Sequence, residues 1–165
     1  MKDYDGKVRV VFKNLVVHPQ VQRVHLAGCA AAKQGKFVEF KNAWWDKGYP
    51  GRDYSDTAIE NIARDANLDV AKLKTDMDGD DCKKRVQQDQ AEVSKFFYRG
   101  GGSTPAFFIN GTHLGGALPI DDFKKVIDDK LRDVEHSGVA PADYYDKVIM
   151  ATGEKKFRSA KDPKP

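Results

Sequence analysis

Residues 102–119 read Gly102-Ser103-Thr104-Pro105-Ala106-Phe107-Phe108-Ile109-Asn110-Gly111-Thr112-His113-Leu114-Gly115-Gly116-Ala117-Leu118-Pro119. The glycine run 100–102 and Thr104-Pro105 end whatever helix comes before them. Ala106–Ile109 is an apolar, aromatic run of strand length and is predicted to be a buried strand. Asn110-Gly111 is the residue pair that a two-residue hairpin turn demands, because both central positions need positive φ. Leu114 falls on a short return strand. Pro119 then opens a helix with Phe123, Val126, Ile127 and Leu131 on one face, and Gly138 ends it. A last helix from about Pro141 holds Tyr144, Tyr145, Val148 and Ile149, and the basic tail from Gly153 to Pro165 is predicted to be disordered.

Upstream of this stretch the chain is mostly helical in period. Lys7–Lys13 (Lys-Val-Arg-Val-Val-Phe-Lys) is β-branched and alternating, so a strand is predicted. Pro19 fits the first turn of a helix, carried to about Lys33 by Val21, Val24, Ala27 and Ala31. Gln34-Gly35-Lys36 interrupts it. Phe37, Phe40, Ala43 and Trp44 mark a second stripe that ends near Gly48–Gly51. Together with Trp45 these aromatics could line a ligand pocket, but aromatic residues at helical spacing more often form core. Ser55-Asp56 cap a helix over 57–66, and Asp69 caps one carrying Val70, Leu73 and Met77. Asp80-Asp81 begin a longer helix, with Val86, Val93, Phe96 and Phe97 predicted to face inward.

Composition narrows the function. The chain has 165 residues, 40% apolar and 32% charged, enough for one compact domain with a core. Its 28 Lys+Arg against 25 Asp+Glu leave a net charge of +3, with both signs interspersed, so no nucleic-acid groove is indicated. No apolar stretch is long enough for a membrane helix. Met1 is followed by Lys2-Asp3-Tyr4-Asp5-Gly6, and no export signal is visible.

Cys29 and Cys82 exclude a disulfide-dense mini-domain. With His18, His25, His113 and His136 they show no metal-ligand spacing, so no metal site and no cofactor are expected. The glycine run lacks the Lys-Ser/Thr of a phosphate loop, which leaves it as an approach to the proline. His25 lies four residues before Cys29 on one helical face, where an imidazolium could favour a thiolate. A buried apolar cysteine is the plainer alternative. Cys82 falls in a first helical turn, but Asp78, Asp80 and Asp81 oppose thiolate formation there.

Residues 102–119 with the helix behind them resemble the thioredoxin-fold thiol–disulfide oxidoreductases of the DsbA-like type. In that family the Thr-Pro bond is cis and leads into a strand, an Asn-Gly turn, a short strand and the C-terminal helix. Lys7–Asn14 followed by Val17-His18-Pro19 resembles the family's second strand and its exit. Ala30–Phe40 resembles its "A…QGKFWE" segment at the start of a helical insertion. The resemblance implies an α/β thioredoxin-like fold over residues 1–137, with a helical insertion at about 19–99, then a C-terminal helix and basic tail over 138–165.

One feature departs from the family. Its redox Cys-x-x-Cys follows the first strand, and both precede the segment matched by residues 2–14. Only Met1 stands there in this chain. The fold is therefore expected to be incomplete, lacking the first strand, both redox cysteines and any export signal, as in an N-terminally truncated form. No catalytic residue is assigned. Ser103, Thr104 and Pro105 are the expected substrate-binding residues, and the family's partners are polypeptides with cysteines. A structural Cys29–Cys82 disulfide is expected in preference to two free thiols. A periplasmic or cell-envelope setting follows from the resemblance. The exposed sheet edge predicts a homodimer or higher species. A redox-inactive peptide-binding or chaperone-like module is the alternative reading. A glutathione-transferase-like helper ranks below it, because there the proline loop precedes most of the helical region.

Overall fold

The computed structural model describes residues 2–97 and 104–157. They fall into two compact units that part between Val93 and Ser94. The first unit is helical. A 3₁₀ turn at Pro19–Val21 leads into α1 (Gln22–Lys33). Next comes α2 (Phe37–Ala43), which runs through a π-helical stretch (Trp44–Gly48) into α3 (Tyr49–Gly51). Then follow α4 (Asp56–Asp65), α5 (Val70–Asp78) and α6 (Asp80–Ser94). Two of these starts are capped by the residues that the sequence marks. Ser55 Oγ accepts the Ala58 N–H, and Asp69 accepts the Lys72 N–H.

α1 packs along α5 and also touches α2 and α4. Its Ala27, Ala30 and Ala31 let the neighbouring helices approach closely, and Leu26, Phe40, Ile59, Ile62, Leu73 and Met77 fill the space between them. Trp44 joins this core, whereas Trp45 lies on the surface against Tyr49, 4.8 Å between ring centroids. Gly48 marks a close approach. A Cβ there would stand 2.7 Å from Cε3 of Trp44. Gly→Ala inside a helix ordinarily stabilises, but here the buried indole would have to move. Gly48→Ala is expected to lower stability by about 1–2 kcal/mol, the cost of overpacking, measured by urea denaturation.

The predicted strand Lys7–Lys13 is not a strand in the structure. The segment has the right residues, but a strand exists only by pairing, and no described strand pairs with it. Val10, Val11 and Phe12 are each more than half exposed, and Phe12 leans on Phe37 at 4.9 Å. Val16 packs against the helical core.

In the second unit, β1 (Ala106–Ile109) and β2 (Thr112–Gly115) form an antiparallel hairpin. It is followed by α7 (Ile120–His136) and α8 (Pro141–Tyr144), which continues as a π-helical stretch (Tyr145–Met150). Among the described residues the sheet has these two strands alone. The fold is mostly helical with a small sheet, compatible with an α/β thioredoxin-like architecture. β1 is less buried than its apolar run predicts. Phe107 meets Phe123 of α7 edge-on at 4.7 Å, yet Phe107 and Phe108 both stay partly exposed. A two-stranded hairpin buries far less than the inner strand of a wide sheet.

Two boundaries also differ from the sequence reading. α6 stops at Ser94, so Phe96 and Phe97 lie beyond the helix and pack on Phe108 instead. The start of the tail is ordered by backbone bonds. Gly153 N–H donates to Ile149 O at 2.9 Å, and Phe157 N–H to Lys95 O at 2.6 Å. Residues 158–165 and the glycine run 100–102 lie outside the described residues. No described helix is long and apolar enough to cross a membrane.

Candidate functional site: the proline hairpin and the cysteine pair

Thr104–Pro105 is a cis peptide, and both residues are exposed. Ser103 lies outside the described residues. Asn110 and Gly111 have φ of 42° and 88°, as a type I′ hairpin turn requires. That two-residue turn makes Ile109↔Thr112 a hydrogen-bonded pair, and alternation makes Phe107↔Leu114 the next. The Gly116 N–H bond to Pro105 O, at 2.8 Å, continues the series past the end of the strand. The same alternation turns the backbone N–H and C=O groups of Ala106 and Phe108 away from β2. Just after the proline, β1 thus offers an edge that could pair with an extended chain. Side chains hold that edge in place. Phe107 is seated on α7, and Phe108 sits between Phe96, Phe97 and His113, with the Phe108–His113 centroids 5.0 Å apart.

The two cysteines belong to the other unit. Cys29 of α1 and Cys82 of α6 are joined in a disulfide across 53 residues, with Cα atoms 5.6 Å apart. Cys82 is fully buried and Cys29 half-buried. Neither sulfur is a free thiol, so neither can attack a substrate disulfide in this state.

His25 makes its hydrogen bond away from the cysteines. Its Nδ1 lies 3.0 Å from Asn14 Oδ1. Asn14 is part of a network that the sequence reading missed, centred on Asp89 of α6, which is 1% exposed. Asp89 Oδ2 accepts Asn14 Nδ2 at 2.8 Å and the Asn14 backbone N–H at 3.2 Å. Its Oδ1 accepts Lys13 Nζ at 3.1 Å and lies 3.4 Å from Arg85 Nε. Lys13 also reaches Glu92 Oε2 at 2.7 Å.

A carboxylate only accepts, so the Asn14 amide nitrogen faces Asp89 and its oxygen faces His25. The network therefore puts a proton on His25 Nδ1. Burial raises the Asp89 pKa, but the bonds from Asn14 and Lys13 outweigh it and hold the carboxyl below the ordinary aspartate range. Burial lowers the pKa of His25, which favours the neutral ring. The signal was present in the sequence, since Asp89 falls on the Val86–Val93 face of α6, where an apolar residue would be expected. Among the described residues no three His, Cys, Asp or Glu side chains converge as a metal site.

Comparison with known proteins agrees with the hairpin and the helix behind it. The family model described as Thioredoxin matches residues 1–129, from the start of the chain into α7. No curated protein and no solved structure matches the chain. A match over most of the sequence, reaching through the proline hairpin and its Asn-Gly turn, shows that this chain belongs to the thioredoxin family.

Proposed function

We propose that this chain is a DsbA-like member of that family, the part of a protein-disulfide oxidoreductase that holds the substrate polypeptide. The observation that carries the reading is the exposed edge of β1 directly after Thr104–Pro105, in a chain whose family match includes that hairpin. An extended substrate strand would pair with the outward groups of Ala106 and Phe108, with Thr104 and Pro105 lining its path. In thiol–disulfide exchange a thiolate attacks a disulfide, and a second thiol resolves the mixed disulfide. The chain's two cysteines are 53 positions apart and bonded to each other, so no Cys-x-x-Cys among its 165 residues can perform that step. In this form it is expected to hold substrate without turning it over. The reading requires an oxidising setting such as the periplasm or cell envelope.

The bonded cysteine pair favours a second reading, in which holding the polypeptide is itself the activity, as in a redox-inactive chaperone-like module. An insulin-precipitation assay with dithiothreitol bears on both readings. No acceleration over the protein-free control is expected. Turnover like that of an intact dithiol relative would refute the assignment of inactivity. A delayed onset of turbidity at stoichiometric protein would favour the holding module.

A further inference from the structure

α6 is the polar helix of the first unit. Its inward stripe is Cys82, Val86 and Asp89, spaced i, i+4, i+7, with Val93 half-buried beyond them. α4 contributes Ile59, Ile62 and Ala63 to the core, and α5 contributes Leu73 and Met77. α6 contributes one fully buried valine, one half of a disulfide and one buried carboxylate. Its other side-chain ties among the described residues are exposed: Lys33 to Asp81 at 3.3 Å, Lys83 Nζ to Asp78 O at 2.6 Å, and Lys13 to Glu92 at 2.7 Å. Exposed pairs of this kind stabilise little. A helix of 15 residues does not persist in water on propensity alone and needs an apolar face to dock it. Val86 is a small face, which leaves the covalent bond to α1 and the bonds of Asp89 to Lys13 and Asn14 as the main attachments.

We propose that the Cys29–Cys82 disulfide is a redox latch, and that its reduction by a dithiol releases α6 while α1, α4 and α5 stay packed on one another. The less buried cysteine, Cys29, is the point of attack. A thiolate of the reductant bonds to the Cys29 sulfur, the S–S bond breaks, and Cys82 leaves as a thiolate that takes up a proton. The second thiolate of the reductant then displaces Cys29, which is protonated in turn. The reductant ends as a disulfide, and two electrons have passed to the protein. Release of α6 also withdraws Asp89 from Lys13 and Asn14, so the Lys7–Asn14 segment loses those bonds and keeps the one between Asn14 and His25 of α1.

Hydrogen exchange on the full chain, oxidised and then reduced with dithiothreitol, tests the latch. In the oxidised protein the slow amides of α6 exchange in step with those of α1 and α5. In the reduced protein they are expected to exchange about ten-fold or more faster than those of α1 and α5, as local opening requires. A Cys29→Ala/Cys82→Val double variant, which keeps an apolar group at the buried position, is expected to repeat this separation. If α6 stays in step with α1 and α5 after reduction, whether all are unchanged or all accelerate together, the latch is refuted. It is equally refuted if the double variant keeps the three helices in step.

Discussion

Replacing both Cys29 and Cys82 with alanine is expected to lower the free energy of unfolding by about 4 kcal/mol, the value that the chain-entropy model assigns to a closed loop of this length. The bond spans 53 residues, from the third turn of α1 to the first turn of α6. It acts mainly on the unfolded chain, whose ends it holds together, and closing a longer loop excludes more conformations. The native side adds to the loss, because Cys82 is fully buried and alanine is smaller. Urea melts of the oxidised protein and the double variant measure the difference. Coincident midpoints at equal slope would show that the bond contributes nothing.

Asp89→Ala is the second large effect, with an expected loss of about 3 kcal/mol. That is the lower end for breaking a buried ion pair, since Lys13 keeps Glu92 and water. The loss arises because the backbone N–H and side-chain amide of the half-buried Asn14 would be left facing a methyl group instead of a carboxylate.

The network also sets an acid limit. Asp89 has a folded pKa below its unfolded one, near 3.9 for an ordinary aspartate, so its contribution is complete above that value. The contribution disappears as pH falls through the folded pKa. His25 acts in the same direction but starts higher. Its folded pKa is lowered from about 6.5, so neutral His25 favours the native state above that pH and the benefit declines below it. Stability is therefore expected to be level near neutrality, to weaken below about pH 6.5, and to fall further below about pH 4. In Asp89→Ala the last decline should be shallower. An unchanged acid profile in the variant would mean that other carboxylates set the limit.

The elements that could be read directly are those whose cause lies within a few residues. Asn110-Gly111 makes the hairpin turn because both positions take positive φ, wherever the hairpin sits. Ser55 and Asp69 cap their helices through a backbone N–H three residues ahead. Pro19 opens a helical turn because its ring already holds the φ that the turn needs. The cis Thr104–Pro105 bond was legible only through the resemblance to the family, whose match extends across it.

Other features depend on residues far apart in the chain. Lys7–Lys13 has strand residues, but strand hydrogen bonds need a second chain segment, and local pattern cannot supply one. Cys29 and Cys82 were readable as a candidate pair, but only the folded chain brings their Cα atoms to 5.6 Å. Asp89 was visible as an acid on an apolar face, but its partners lie 75 and 76 positions away. Sequence alone determined where helices start and where the chain turns, because short-range sterics and hydrogen bonding decide those, and it carried the family motif as a resemblance. Tertiary structure decided which strand residues pair, which sulfurs bond and how the buried charge is satisfied, because these are contacts that only the folded chain brings together.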